Sequence, residues 1–270
     1  MAIVAVLSAL LACSLLLLVL GGVLLRGISQ LDLSFFTLPR PLFGQRGGVA
    51  DALVGSALIV GMATGLAVPV AVLVAVYVSE YARPRAARLV QLALDVLNGI
   101  PAIVVGIFVF GLLVAGNGQS AIFGAVSLAI LMLPMVARAT QEVLALVPRS
   151  LREASLALGV PRWRTVVSIV LPAALGGIVT GVVLAVARAA GETAPILFTS
   201  SIAANAVSFD VTHALASLPL AIFVFSESPD PREQAAGWAA ALVLIVFVLV
   251  LNVLGKLVAA RTRRRLEGSR

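Results

Sequence analysis

Between positions 3 and 25 the chain runs twenty-three residues without one charged side chain. A helix needs about 20 predominantly apolar residues to cross the hydrocarbon core of a bilayer, so this run is long enough to span. Comparable runs recur down the sequence, and a single water-exposed domain could not bury so much apolar surface. Composition makes the same point: 61% of the 270 residues are hydrophobic and 11% charged, against about 25% charged in a soluble domain. In lipid the backbone polar groups have no water to bond, so helices or closed barrels must satisfy them internally. Barrel strands alternate apolar and polar residues, whereas Leu15-Leu16-Leu17-Leu18-Val19-Leu20 is unbroken. The expected fold is therefore all-α, an integral membrane protein with six transmembrane helices.

The spans are expected at 3–25, 52–78, 89–115, 121–137, 166–190 and 235–257. Pro69 falls inside the second, where a proline kinks a span that neighbouring helices still support. The third is interrupted at Gly99-Ile100-Pro101. Tyr77, Tyr81 and Trp163 suit the aromatic belt at the membrane surface. A further apolar stretch, 215–225, is too short to span and reads as re-entrant or interfacial. The lone cysteine, Cys13, excludes an internal disulfide. It follows Leu10-Leu11-Ala12, but no basic segment precedes it and the apolar run continues, so it reads as a cysteine packed in the first span rather than a lipidation site.

Basic residues set the expected orientation. Segments 80–90 and 138–165 carry eight arginines, and Lys256 with the tail 258–270 adds six more of the nineteen basic residues. Segment 193–234 holds only Arg232 against Asp210, Glu227, Asp230 and Glu233. Basic loops stay cytoplasmic, which places both termini and segment 138–165 inside, and 26–51, 116–119 and 191–234 outside. Anionic inner-leaflet lipid accounts for the net charge of +7 without invoking nucleic acid.

The longest inner loop is organised. Ser150 followed by Glu153 forms a capping-box pattern, predicting a helix over 151–158 that stops at Gly159, the residue type preferred just past a helix end. Pro161 suits the first turn of a second helix. Here the chain resembles the inner-membrane permeases of ATP-binding-cassette importers. Their loop signature is E-A-A, three residues, G, nine residues, I-x-L-P. In this chain it reads Glu153-Ala154-Ser155, Gly159 and Ile169-Val170-Leu171-Pro172, with Ser155 replacing the second alanine. The resemblance implies that 151–161 is the helix docking on a separate ATPase, with Glu153, Ala154, Ser155 and Gly159 as its coupling residues. This chain has no G-x-x-x-x-G-K-[ST] phosphate loop; its nearest approach is Gly255-Lys256-Leu257. It is expected to be no enzyme and to bind no cofactor, with ATP and Mg used by the partner.

At the end of the fifth span the sequence reads Arg188-Ala189-Ala190-Gly191-Glu192-Thr193-Ala194-Pro195-Ile196-Leu197-Phe198-Thr199. Arg188 and Glu192 share a helix face if the helix continues, and arginine presents a planar fork of donors suited to an oxyanion. Two readings stand at this point. Arg188 contacts substrate, or it snorkels or merely pairs with Glu192. The stretch is similar to the A-type permeases of phosphate-specific transporters, and Gly99-Ile100-Pro101-Ala102-Ile103-Val104-Val105-Gly106 adds to that likeness. The resemblance implies a phosphate path touching Arg188, Glu192 and Thr193. It also implies a second, C-type permease, two ATPase subunits, an external phosphate-binding protein and a bacterial cytoplasmic-membrane location. One permease domain is expected over 1–270, its core at about 50–257.

Gly177, Gly181, Ala185 and Ala189 form a small-residue stripe on the fifth span, predicting close helix packing. Asp95 and Asn98 beside the break either line a polar passage or satisfy broken backbone, and the second reading is the simpler. His213, the only histidine, is no metal site. An importer for another oxyanion keeps the loop motif and changes only the reading of 188–199. A secondary transporter expects inverted repeats, and a membrane scaffold expects no polar residues in its spans.

Overall fold

The computed structural model describes residues 1–40, 47–201 and 206–267. Every regular element among them is helical. Helix α1 (Ala2–Gly27) leads through a single 3-10 turn to the short α2 (Leu33–Thr37), which is N-capped by the Asp32 side chain. Helix α3 (Ala50–Val76) continues as a π turn over Tyr77–Tyr81, and Pro69 sits inside it without ending it. The break follows α4 (Pro84–Gly99), with α5 (Ala102–Val109) and a second π turn, Phe110–Val114, on its far side. Then come α6 (Ala121–Leu146) and α7 (Arg149–Ala157). Helices α8 (Arg162–Thr165) and α9 (Leu171–Ala189) flank a third π turn. The chain closes with α10 (Ala194–Thr199), α11 (Leu218–Glu227) and α12 (Pro231–Glu267).

Five of these helices are long and apolar enough to cross a membrane, and α4 with α5 makes a sixth if that bent pair is one span. The bend is 97°, a corner rather than a kink. Its residues explain it. Pro101 forbids the helical conformation to Ile100, which is extended, and the amide of Ile100 turns back to the Leu97 carbonyl. Neither Asp95 nor Asn98 makes a side-chain bond to the broken backbone, and Asp95 instead pairs with Arg138.

The core is built on α3, α6 and α9. On α3, Ala63, Ala67, Ala71 and Ala75 are buried at every fourth position, a small-residue stripe that lets α6 lie close. The expected stripe on α9 is also real. A side-chain carbon added to Gly177 would fall 2.6 Å from Val143, and one added to Gly181 would fall 2.6 Å from Ala139, both on α6. Helix α12 packs against α9, and α1 touches the rest through α12. Arg26 stacks its guanidinium 4.8 Å from the Trp238 ring, beside the close approach of Gly27 to the Trp238 backbone. Cys13 lies exposed on α1 and is not packed against other helices, because only the far end of α1 meets the body.

Three further expectations need correction. Helix α6 continues nine residues beyond position 137, so the inner loop begins at Val147. A charge such as Arg138 ends a hydrophobic run but leaves the backbone ladder intact, and no breaker appears before Pro148. The capping box does not form: Pro148 is the N-cap of α7, Ser150 lies inside the helix, and no side chain caps it. The last helix starts at Pro231 and runs through the basic tail to Glu267, since arginine-rich segments are good helix formers. The re-entrant reading of 215–225 corresponds to the ten-residue α11, which packs on α12 and α3.

The outer segment is tied down by backbone polarity. The first amides of α6 lack intrahelical partners, and Ser120, Ala121 and Ile122 donate to the carbonyls of Thr199, His213 and Val211. Leu218 donates its amide to the Ser56 hydroxyl on α3 at 2.8 Å. A buried ion pair, Arg40 to Asp51 at 3.1 Å, pins the segment before α3 to that helix's first turn, where a carboxylate also suits the helix dipole.

Candidate functional site

Helix α9 ends at Ala189, one residue after Arg188. Gly191 and Glu192 turn back on it, their amides donating to the carbonyls of Arg188 and Ala189. This turn brings the Glu192 carboxylate to 3.7 Å from Arg188 Nε, an ion pair in which 64% of the arginine side chain and 24% of the glutamate stay exposed. A bond this long in an open setting contributes little by itself. Both residues line a shallow cleft with Asn98 and Ile100 from the break and Met132 and Met135 from α6. Its enclosed volume is about 40 Å³, room for a few waters by volume.

Two stretches far apart in sequence meet here. Gly106 on α5 lies against Pro195 on α10, where an added side-chain carbon would come within 2.7 Å of the proline Cα. The glycine at this position lets α10 seat on the broken helix, and that contact holds the Arg188–Glu192 turn beside Asn98. Thr193 begins α10, half-buried, with no side-chain cap bond; it is not among the residues lining the cleft.

Asp95 takes a different partner. Its carboxylate accepts from Arg138 on α6, whose guanidinium also donates to the Gln91 carbonyl at 3.1 Å. That pair links α4 to α6, and it leaves 62% of the Asp95 side chain exposed. In the sequence Arg138 reads only as a loop charge, since its partner Asp95 lies 43 positions away.

The loop site is built around α7. Leu158 ends the helix, Gly159 takes φ +77°, and the amides of Gly159 and Val160 bond back to Leu156 and Ser155. The expected sharp corner is therefore present. Glu153, Ala154, Leu156 and Leu158 are exposed, while Ser155 is buried with its hydroxyl 2.9 Å from that of Thr165 on α8. A residue facing inward at the third signature position suits a small side chain, whether alanine or serine. Arg162 stacks over Tyr81 at 5.4 Å and Arg164 over Trp163 at 5.4 Å, as basic and aromatic residues do at a membrane surface. In the outer segment, Asp210 accepts from the Thr212 hydroxyl at 2.6 Å and from its amide at 3.0 Å. Those bonds, with His213 alongside, lower the Asp210 carboxyl from its ordinary value. Among the described residues no cluster of metal-ligating side chains occurs.

Residues 67–264 match the family described as binding-protein-dependent transport system inner membrane component. The phosphate transport system permease protein PstA of Yersinia pestis is 39% identical over 91% of this chain and 84% of its own length. PstA 1 of Mycobacterium tuberculosis is 45% identical over 82% of this chain and 73% of its own. Among solved structures, a chain of the inward-facing MetNI methionine ABC transporter aligns with a TM-score of 0.63 at 18% identity, covering 80% of this chain and 94% of that one. A chain of a bacterial alginate ABC transporter aligns at 0.65 and 14% identity over 97% and 94%. At such identities the two structures speak for the fold, and the sequence matches speak for the family. The chain belongs to the binding-protein-dependent transport system inner membrane component family, among its PstA-type permeases.

Proposed function

We propose that this chain is the membrane-spanning subunit of an ATP-driven importer that carries inorganic phosphate into the cytoplasm of a bacterium. The observation that carries this reading is the identity of 39% and 45% to phosphate permeases over most of the chain. The chemistry of the cleft supports it: Arg188 offers an exposed, permanently charged fork, and Glu192 and Asn98 add an acceptor and an amide beside it. Asp95 and Asn98 on α4 and Arg188 at the end of α9 are exposed, and all three lie within the segments apolar enough to cross a membrane once α4 and α5 are taken together. A charge facing lipid costs about 2.5–3.5 kcal/mol, so this face meets protein or water. A second permease of the C type fits that requirement, the substrate path running between the two subunits.

The chain works in a complex with an ATPase and an external binding protein. In its finer form the proposal gives two ATPase subunits that hold ATP and Mg, one of them docked on α7 through Glu153, Ala154, Ser155 and Gly159. The external protein delivers phosphate. Co-reconstitution of the complex in proteoliposomes, with ATP on the ATPase side, tests the reading. Labelled phosphate should accumulate only with ATP and binding protein present. ATP-driven uptake of sulfate or another oxyanion in its place would reassign the substrate, and uptake without the ATPase would indicate a secondary transporter.

A further inference from the structure

Arg152 is the one arginine of α7 that turns inward. Its guanidinium makes four hydrogen bonds. Nε and Nη2 donate to Glu80 Oε1 at 3.1 and 2.8 Å, Nη2 also donates to the Leu144 carbonyl at 3.0 Å, and Nη1 donates to the Val147 carbonyl at 2.7 Å. Glu80 sits in the π turn that extends α3, with 7% of its side chain exposed. Leu144 and Val147 close the end of α6. One side chain therefore ties α7 to the ends of two of the three helices that build the core. The bonding matches the fork of a guanidinium, which no other cation reproduces, and helix C-terminal carbonyls favour a positive charge. On its outward face α7 shows Glu153, Ala154 and Leu156. The helix is thus two-faced: one side free for a partner, the other held by polar contacts to α3, α6 and, through Ser155, α8.

We infer that Arg152 and Glu80 are positioning residues that transmit the movement of α7 to α3 and α6, so that ATP hydrolysis in the partner drives the membrane helices. This rests on the importer reading above. Without the staple α7 could still dock, but its displacement would no longer be passed to the core. The expected signature is uncoupling rather than inactivity.

The test uses the complete transporter in proteoliposomes and reads phosphate imported per ATP hydrolysed. The variants are Arg152→Gln, Arg152→Lys and Glu80→Gln, the last keeping shape while removing charge. We expect normal subunit content, continued ATP hydrolysis and about a tenfold fall in the ratio for both glutamine variants, the scale of a typical intersite coupling. Arg152→Lys should recover the ratio only in part. An unchanged ratio in intact complexes overturns the inference. Loss of assembly in both Arg152→Gln and Glu80→Gln also overturns it, assigning the pair to folding alone. Should the wild-type complex import a different oxyanion, the phosphate reading fails while the same ratio, taken for that oxyanion, still decides the staple.

Discussion

Arg188 carries a permanent charge at the end of a helix with little to neutralise it, since Glu192 stands 3.7 Å away. If the guanidinium meets phosphate in transit, its charge-assisted bonds are each worth about 1.5–3 kcal/mol. Uptake should then fall by about tenfold or more in Arg188→Gln, and less in Arg188→Lys, which keeps charge without the fork. The rival role, neutralising Glu192, predicts that Arg188→Gln with Glu192→Gln restores uptake along with assembly. Full transport in that double variant at normal subunit levels would remove Arg188 from the path. What the sequence disclosed at this scale was residue type and spacing, and it brought out Arg188, Glu192 and Asn98, which line one cleft in the structure. It could not disclose pairings such as Arg138 with Asp95 or Arg152 with Glu80. Such partners lie 43 and 72 positions apart, and no periodicity links them.

Among the elements, α7 is the most dependent on one backbone angle. Gly159 holds φ +77° with open space where a side chain would project, so substitution there acts through the backbone and not through a clash. A non-glycine residue in that region costs about 1–2 kcal/mol, asparagine tolerates it, and a β-branched side chain does so least. Gly159→Val should therefore weaken retention of the ATPase during purification while the protein still inserts, and Gly159→Asn should behave nearly as wild type. Equal losses from the two would point to something other than the corner. The spans were legible because long apolar runs announce themselves, and the break was legible because Gly99 and Pro101 are punctuation. The 97° angle was not: those residues end a helix, but the contact of Gly106 with Pro195 decides where the next one goes. The overrun of α6 was hidden for a related reason, since hydropathy marks where lipid ends and hydrogen bonds mark where a helix does.

In the whole molecule, α6 fixes which surfaces lie on opposite sides of the membrane. Its 26 residues reach about 39 Å at 1.5 Å per residue, more than the hydrocarbon thickness. Its first amides are held by carbonyls of the outer segment, and its last carbonyls are held by Arg152 of α7. Those two regions therefore face opposite compartments whichever way the chain inserts. Helix α1 meets α12 at the Gly27–Trp238 contact, its last turn against the first turns of α12. The bias of arginines predicts the direction. Lys and Arg cluster around α7 and in the tail, and such loops are retained in the cytoplasm. In a Cys13→Ser background, single cysteines at Ser150 on α7 and at Glu227 at the end of α11, both exposed, report the two faces. An impermeant maleimide added to intact cells should label position 227 and spare position 150 until the membrane is opened. The reverse pattern would invert the chain and take the proposed docking helix away from cytoplasmic ATP. Labelling of both positions from outside would break the link between α6 and a single membrane crossing.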